Sequence, residues 1–236
     1  MGSCRGLAKS YGARVAVRDV TIRLLPGEMI GLVGANGGGK TTTLRLLAGL
    51  LRPDAGSGTV LGDDVRHPRP GRRRRLGYMS QRLALYPDLS VRENLRFHAA
   101  LHGFDDRRIA QISGQYGLGD VLGQSFGNLS GGWARRVQFA AATIHAPPLL
   151  LLDEPTAGLD MLTRRTIWQW LDGLVRRGHG IVISTHDIAE AAQCTKIAFY
   201  NEGRACPLMT PGAMLTQTGA ASLEDAMMRL TAARAA

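Results

Sequence analysis

Short apolar runs alternate with amphipathic stretches along the whole chain. Met29–Val33 and Leu149–Leu152 have the length and hydrophobicity of strands that are buried on both faces of a sheet. Thr163–Arg177 instead carries its apolar side chains at helical spacing and ends at a glycine, and the apolar run Ile181–Ser184 follows it. Strands and helices that alternate in this way predict a mainly parallel sheet covered by helices. We therefore predict an α/β fold.

Smaller strands are predicted on either side of the first buried run. They are Val15–Val17, Val20–Leu25 and Thr59–Leu61. We expect them to form a small antiparallel sheet that flanks the core. Two further strands are predicted at Leu76–Ser80 and Thr195–Tyr200. The chain shows no internal repeat and no low-complexity linker, so we predict a single domain over residues 1–236.

A helical insert is predicted between the core strands. Ser90 and Glu93 have the spacing of a capping box, which begins a helix, and the pattern from there to His145 is helical throughout. We therefore expect residues of about 87–146 to form an inserted helical subdomain. The end of the chain, residues of about 211–236, is predicted to form terminal helices.

The most specific pattern in the chain directly follows the first buried run. Residues 34–41 match the loop G-x-x-x-x-G-K-[ST], in which backbone N–H groups surround the phosphates of a nucleoside triphosphate. In such a loop Lys40 reaches the β- and γ-phosphates, and the Thr41 hydroxyl helps to hold Mg²⁺. The chain contains only three lysines, which argues against a chance match. The predicted nucleotide-binding residues of the loop are Gly34, Ala35, Asn36, Gly37, Gly38, Gly39, Lys40, Thr41 and Thr42.

Two carboxylates directly follow the second buried run. Asp153 and Glu154 come after four leucines, at the end of a strand where open α/β sheets bind their ligands. Asp153 can bind Mg²⁺ directly or through water, and Glu154 can accept a proton from the water that attacks the γ-phosphate. Two acids that only end a strand in solvent are the alternative. The phosphate loop argues against that alternative.

Charge and composition change this picture little. The formal net charge of +10 suits a partner rich in phosphate, but the only dense basic run is Arg72–Arg75, which we interpret as solvated. We therefore expect no specific nucleic-acid partner. The apolar runs are far shorter than the roughly 20 residues that span a bilayer, and Met1–Val17 does not resemble a signal peptide. The three cysteines, Cys4, Cys194 and Cys206, suggest neither a disulfide framework nor a metal site, so we expect a reducing cytoplasm.

Together these motifs resemble the ATPase subunit of ATP-binding cassette (ABC) transporters, and the resemblance covers essentially the whole chain. Five more segments match in the family's order. Tyr11 is similar to the aromatic residue that stacks on adenine, and Gln81 to the glutamine that senses Mg²⁺ and the attacking water. Leu129-Ser130-Gly131-Gly132 resembles the family signature. Asp160 and His186 match the D-loop and the switch histidine.

The resemblance implies a P-loop NTPase core with a flanking antiparallel β-subdomain and an inserted α-helical subdomain. It implies that Mg²⁺-dependent hydrolysis of ATP is carried out by Glu154, His186, Gln81 and Lys40, and that the metal is held by Thr41, Gln81 and Asp153. Two subunits, expected to be a homodimer, would face each other head to tail across Asp160. Ser130, Gly131 and Gly132 would then act on the partner's ATP.

Three features of the chain depart from the family pattern. Trp133 stands where a glutamine usually ends the signature, which puts the contact of that residue with the partner's nucleotide in question. Ala35 and Gly38 differ from the commoner residues of the phosphate loop and leave it more flexible. Met1–Cys4 is short for the first strand of the family, so we expect that edge to be weakly formed.

Within the family, three segments look like those of drug-type (ABC-2) exporters. They are Gly77–Arg82, Thr163–Arg165 and Ser222–Ala226. This resemblance implies a separate integral-membrane permease, docked near Gln81–Leu101, and a peripheral position on the cytoplasmic face of the cell membrane. Two alternatives remain open: a soluble cassette ATPase that acts on nucleic acid or ribosomes, and an ATP-gated module that does not hydrolyse ATP. The single cassette argues against the first, and the presence of Glu154 and His186 argues against the second.

Overall fold

The continuous apolar runs form interior strands of a ten-stranded sheet. The structure, a computed structural model, describes residues 1–235, except for the side chains of residues 70, 73 and 232–235. Its strands are β1 (Gly2–Tyr11), β2 (Arg14–Leu24), β3 (Met29–Gly34), β4 (Ala55–Val60), β5 (Asp63–Asp64), β6 (Leu76–Met79), β7 (Leu149–Asp153), β8 (Gly180–Thr185), β9 (Lys196–Asn201) and β10 (Arg204–Ala205). Their order across the sheet is β5-β4-β1-β2-β10-β9-β3-β8-β7-β6.

Helices follow five of these strands in the part of the chain that the structure describes. They are α1 (Lys40–Ala48), α2 (Val91–Leu101), α3 (Asp106–Tyr116), α4 (Gly131–Thr143), α5 (Met161–Arg176), α6 (Ile188–Ala191), α7 (Pro211–Thr218) and α8 (Leu223–Ala235). The last residue of the predicted terminal helices, at position 236, lies outside the described residues. None of the described helices is both long enough and apolar enough to cross a membrane.

The strands from β9 to β6 form the parallel part of the sheet. β3 pairs with β9 and β8, and β7 pairs with β8 and β6, all in parallel. Because side chains alternate between the two faces of a strand, Leu150 and Leu152 join one core cluster, whereas Leu149 and Leu151 join the other. Both faces are therefore buried, which explains why β7 is apolar at every position before Asp153. This arrangement confirms the predicted α/β fold.

The flanking antiparallel sheet differs from the expectation at its first strand. The predicted weak edge is wrong, because β1 extends over ten residues and pairs with both β2 and β4. The predicted strands Val15–Val17 and Val20–Leu25 are one strand, β2, in which Asp19 takes a positive φ of 55°. Irregular pairing between β1 and β2 disturbs the alternation of apolar and polar residues. The sequence pattern therefore conceals β1 and divides β2 into two strands.

The insert between β6 and β7 contains α2, α3 and α4. The capping box is present, because the Ser90 hydroxyl accepts from Glu93 N and the Glu93 carboxylate accepts from Ser90 N. The prediction of continuous helix up to His145 is wrong. Gly103 and Gly117 take positive φ values of 77° and 60°, after α2 and α3 respectively, and only then do the following segments begin. We interpret residues of about 87–146 as an inserted subdomain.

Candidate nucleotide-binding site

The phosphate loop lies between β3 and α1 and depends on glycine. Gly34 and Gly39 have φ values of 141° and 108°. A Cβ atom at Gly34 would lie 2.2 Å from the Tyr200 carbonyl oxygen, and one at Gly39 would lie 2.5 Å from the Ala16 carbonyl oxygen. Both positions therefore require glycine, which allows the backbone to turn tightly and to direct its N–H groups into the loop. α1 then begins at Lys40, which places the N-terminal end of a helix at the loop.

Lys40 is buried in the mouth of this loop. Its Nζ donates to the carbonyl oxygens of Gly34, at 2.6 Å, and Ala35, at 3.0 Å. The same nitrogen lies 3.8 Å from Glu154 Oε1. Burial lowers the pKa of Lys40, and the nearby carboxylates of Glu154 and Asp153 partly oppose that effect. Lys40 therefore supplies a cation that is already positioned between the loop and the two acids.

Asp153 joins the phosphate loop to the neighbouring strand. Its Oδ1 accepts from Thr41 Oγ1 at 2.9 Å and from Ser184 Oγ at 2.7 Å. A hydroxyl and a carboxylate oxygen that lie side by side fit Mg²⁺, which binds one or two protein oxygens together with substrate phosphates. In the part of the chain that the structure describes, no group of three or more His, Cys, Asp or Glu residues is arranged to hold a metal. The donor set therefore suits a metal that arrives with a triphosphate.

Glu154 is the point where the predicted catalytic residues meet. Its side chain is buried, and Oε2 accepts from Gln81 Nε2 at 3.2 Å. Oε1 lies 3.5 Å from His186 Nδ1. The backbone of Glu154 has a φ of 47°, which is uncommon for a residue other than glycine and which concentrates at functional sites. The structure thus brings Lys40, Gln81 and His186 around one carboxylate.

A cavity of about 520 Å³ opens over the phosphate loop. Tyr11 and Thr42 line it together with Asn36, Gly37 and Gly39 of the loop and with Lys40, Thr41, Gln81 and Glu154. Arg14 also lines the cavity, and the sequence analysis missed it. Arg14 pairs with Tyr11 across the β1–β2 turn, so both side chains reach the cavity from the same turn. The only sequence signal for this arginine is its position after the predicted adenine-stacking residue.

The predicted signature and D-loop lie together but away from this cavity. A Cβ atom built on Gly132 would lie 3.3 Å from Thr163 Oγ1 and 3.8 Å from Asp160 Oδ2. Asp160 caps α5 by accepting from Thr163 N. Ser130 begins α4, is exposed, and makes no capping hydrogen bond through its side chain. Its hydroxyl and the first N–H groups of α4 are therefore open to a molecule outside this chain.

The signature helix also holds the loop that carries Gln81. Arg135 Nη1 donates to the carbonyl oxygen of Gln81 at 3.0 Å, and Gln138 Nε2 donates to that of Arg82 at 2.9 Å. Both side chains are buried, so these bonds are shielded from water. The sequence analysis missed both residues, because a polar residue in a helix does not reveal a distant backbone partner. They link the predicted signature to Gln81, the glutamine predicted to sense Mg²⁺ and the attacking water.

Ser184 is a further residue that the sequence analysis missed, and it gives a first prediction. Its Oγ donates to Asp153 and accepts from Glu154 N at 2.9 Å, which orients both acids. We expect Ser184→Ala to lower kcat for ATP by about 10-fold, equivalent to about 1.4 kcal/mol. Steady-state phosphate release measures this change. Ser57→Ala, on an exposed part of β4, is the control and should leave kcat unchanged. A wild-type kcat for Ser184→Ala would exclude this orienting role.

The fold and the site define a class of protein. A parallel sheet, a glycine loop that leads into a helix, and an Asp-Glu pair at the end of another strand are the parts of a P-loop nucleoside triphosphatase. The sequence model of the family described as "ABC transporter" matches residues 17–157. The chain belongs to the ABC transporter family.

Individual relatives agree with this assignment. The chain is 35% identical over 216 residues to the probable multidrug ABC transporter ATP-binding protein YbhF of Escherichia coli K12. The aligned region covers 90% of this chain but only 37% of that protein. It is 35% identical over 238 residues to the daunorubicin/doxorubicin resistance ATP-binding protein DrrA of Streptomyces peucetius. That alignment covers 97% of this chain and 72% of DrrA. The dimeric post-hydrolysis structure of the cassette MJ0796 bound to ADP and Pi has a TM-score of 0.82 and 25% identity, over 89% of this chain and 98% of that one.

Proposed function

We propose that this chain is the Mg²⁺-dependent ATPase subunit of an export-type ABC transporter, which hydrolyses ATP to ADP and phosphate. One observation carries the proposal: Lys40, Gln81 and His186 surround the buried carboxylate of Glu154 beside the cavity over the phosphate loop. A base next to a phosphate-binding cation is what hydrolysis of a γ-phosphate requires.

Each residue has a distinct role in this proposal. Lys40 binds the β- and γ-phosphates, and the glycine loop supplies N–H donors to them. Glu154 accepts a proton from the attacking water, while Gln81 and His186 orient that water and the γ-phosphate. Thr41, Gln81 and Asp153 would hold Mg²⁺, which neutralises charge on the phosphates when it is bound. Tyr11 is half-exposed at the edge of the cavity and can stack on adenine.

The working unit in this proposal is a dimer. Of the residues that the structure describes, those that line the cavity do not include Ser130, Gly131 or Gly132. A partner subunit must then bring its own signature to this ATP. The similarity to a dimeric cassette bound to ADP and Pi supports that arrangement. We propose a homodimer in which ATP closes the pair and hydrolysis opens it.

The second partner is an integral-membrane permease. Both relatives are described by their roles in drug transport or resistance, which supports export, and the subunit would work on the cytoplasmic face of the membrane. The segment after Gln81 offers Leu83 and Tyr86, which are 46% and 51% exposed. Leu85, in contrast, belongs to the buried core and is excluded as a docking residue. The rings of Tyr86 and Phe97 meet edge to face at 5.4 Å and form an exposed apolar surface.

A second prediction tests this partner. We expect the double variant Leu83→Asp and Tyr86→Asp to keep its ATPase activity but to lose most of its recovery with membranes that contain the permease, because charges cannot dock on an apolar surface. Asn94 holds the backbone N and O of Tyr86, so the loop should keep its shape. Co-sedimentation with permease-containing vesicles measures the loss. Met228→Asp, at a more exposed apolar position on α8, is the control.

The same experiment separates the proposal from its main alternative. A cassette that acts on ribosomes or nucleic acid would be recovered with ribosomes and not with membranes. The net charge of +10 permits weak, salt-sensitive binding to nucleic acid, with a Kd of about 10⁻⁴ to 10⁻⁶ M. Tighter binding, together with wild-type membrane recovery of the double variant, would overturn the transporter proposal.

A further inference from the structure

Trp133 is the position where the signature departs from the family pattern, and its side chain contacts other residues of this chain. The indole is half-buried and packs against the core. Its ring lies beneath the guanidinium of Arg136, with 4.2 Å between the Arg136 Cζ and the ring centroid. This distance is typical of a cation–π contact.

Arg136 extends this contact to two other helices. Its Cζ lies 5.4 Å from the centroid of Trp170 on α5, and its Nη2 donates to the carbonyl oxygen of Tyr116 on α3 at 2.9 Å. Trp170 in turn packs on the Tyr116 ring at 4.7 Å and on the Phe139 ring at 5.5 Å. The guanidinium is therefore held between two indoles that belong to different helices. We call Trp133, Arg136 and Trp170 the indole clamp.

The clamp compensates a partly buried charge. Burial lowers the pKa of Arg136, but a guanidinium remains charged in proteins. Arg136 Nε is buried and has no hydrogen-bond partner among the described residues. The electron-rich faces of the two indoles replace part of the water that this cation has lost. A glutamine at position 133 would offer no such face.

The clamp also connects two motifs that would meet a partner subunit. α4 begins with the signature, and α5 begins at Asp160 of the D-loop. Their first turns already touch where Gly132 faces Thr163. The contact between Arg136 and Trp170 fixes α4 to α5 at a second point, further along both helices. Together with the contact between the Phe139 and Trp170 rings, these attachments restrain rotation of one helix against the other.

We propose that Trp133 is a positioning residue that, through Arg136 and Trp170, locks the signature helix to the D-loop helix, so that both motifs meet the partner's nucleotide as one rigid unit. This inference rests on the proposed function, since it assumes the ATP-bound dimer. Trp133 itself touches neither nucleotide. Trp133 stabilises the dimer indirectly, because the signature and the D-loop are already ordered when the subunits close.

The test measures ATP-dependent dimerisation in a Glu154→Gln background, in which bound ATP persists. We expect Trp133→Gln to weaken the dimer by about 3- to 30-fold, the range for one partly buried cation–π contact. Trp133→Phe keeps a ring for Arg136 and should recover most of the loss. Trp168→Phe changes another buried indole of α5, outside the clamp, and should leave dimerisation unchanged. Sedimentation velocity at a series of protein concentrations gives the dissociation constants.

Two further measurements separate positioning from simple stability. ATP affinity of the monomer should be equal in all variants, because the described residues that line the cavity over the phosphate loop do not include those of the clamp. Trp133→Gln should also have no additional effect on dimerisation in an Arg136→Met background, since the contact is already lost. Fully additive effects of the two changes would show that Trp133 does not act through Arg136.

The outcomes also separate this inference from the proposed function. If Glu154→Gln protein stays monomeric with saturating ATP, the proposed dimeric ATPase is wrong. If that protein dimerises but Trp133→Gln dimerises as tightly or more tightly, the dimer stands and the clamp has no positioning role. A loss that Trp133→Phe does not recover would likewise contradict the contact with Arg136.

Discussion

Replacing Glu154 by glutamine is expected to slow ATP hydrolysis by about 10² to 10⁴-fold and to leave ATP affinity unchanged, because a positioned general base contributes rate enhancement of this size. Glutamine has the same length and can still meet Gln81 and His186, but its amide cannot take a proton from water. Phosphate release under saturating ATP measures the rate. Calorimetric titration of the same protein measures the affinity.

Dimerisation of the Glu154→Gln protein provides an independent check. If hydrolysis opens the dimer, Glu154→Gln protein should accumulate as an ATP-filled dimer in size-exclusion chromatography, whereas wild-type protein should return to monomer as ATP is consumed. Glu224→Gln, on the exposed face of α8, is a matched control and should behave as wild type. A turnover of Glu154→Gln within a few-fold of wild type would remove Glu154 from the role of base.

The parallel core was predictable because its cause is local. β3, β7 and β8 are buried on both faces, so each appears in the sequence as an uninterrupted apolar run. The observed bounds differ from the predicted ones by about one residue. At Gly34 and Gly39 a side chain would clash with a backbone carbonyl oxygen, so both positions of the loop require glycine. The phosphate loop was therefore also predictable from a local pattern.

The antiparallel sheet was harder to predict because its determinants are distant. β1 is stabilised by pairing with β2 and β4, and its own residues include Gly2, Gly6 and Lys9. Glycine has low strand propensity, so local preference predicts a weak strand where tertiary pairing forms a long one. The same glycine-rich composition concealed the first half of β4.

The candidate site likewise contains residues that could be predicted from the sequence and residues that could not. Lys40, Thr41, Asp153 and Glu154 belong to short motifs, and the chain order of those motifs indicated that they share one site. Ser184, Arg14 and Arg135 belong to no motif, because each acts through a hydrogen bond or a cavity wall made by residues far away in sequence. Within the predicted docking segment Gln81–Leu101, Leu83 and Tyr86 are exposed whereas Leu85 is buried, and the sequence alone does not distinguish them.

Lys40→Ala is expected to weaken ATP binding itself by about 10- to 100-fold, in contrast to Glu154→Gln, because it removes a charged hydrogen-bond donor worth about 1.5 to 3 kcal/mol. In the structure Nζ donates to Gly34 and Ala35 and lies near Glu154, so ATP needs only to replace these neutral acceptors with phosphate oxygens. The cation is thus held in place before the nucleotide arrives. Calorimetric titration with ATP in the presence of Mg²⁺ measures the loss.

A lysine at the opposite end of the same sheet provides the control for this experiment. Lys196 begins β9 and pairs with Glu28, just before β3, at 2.6 Å. Because β3 and β9 are parallel, this ion pair lies at the end of the sheet away from the phosphate loop. Lys196→Ala should therefore keep wild-type ATP affinity, even if it lowers the free energy of unfolding. Equal ATP affinity for Lys40→Ala and Lys196→Ala would contradict the assignment of residues 34–41 as the phosphate loop.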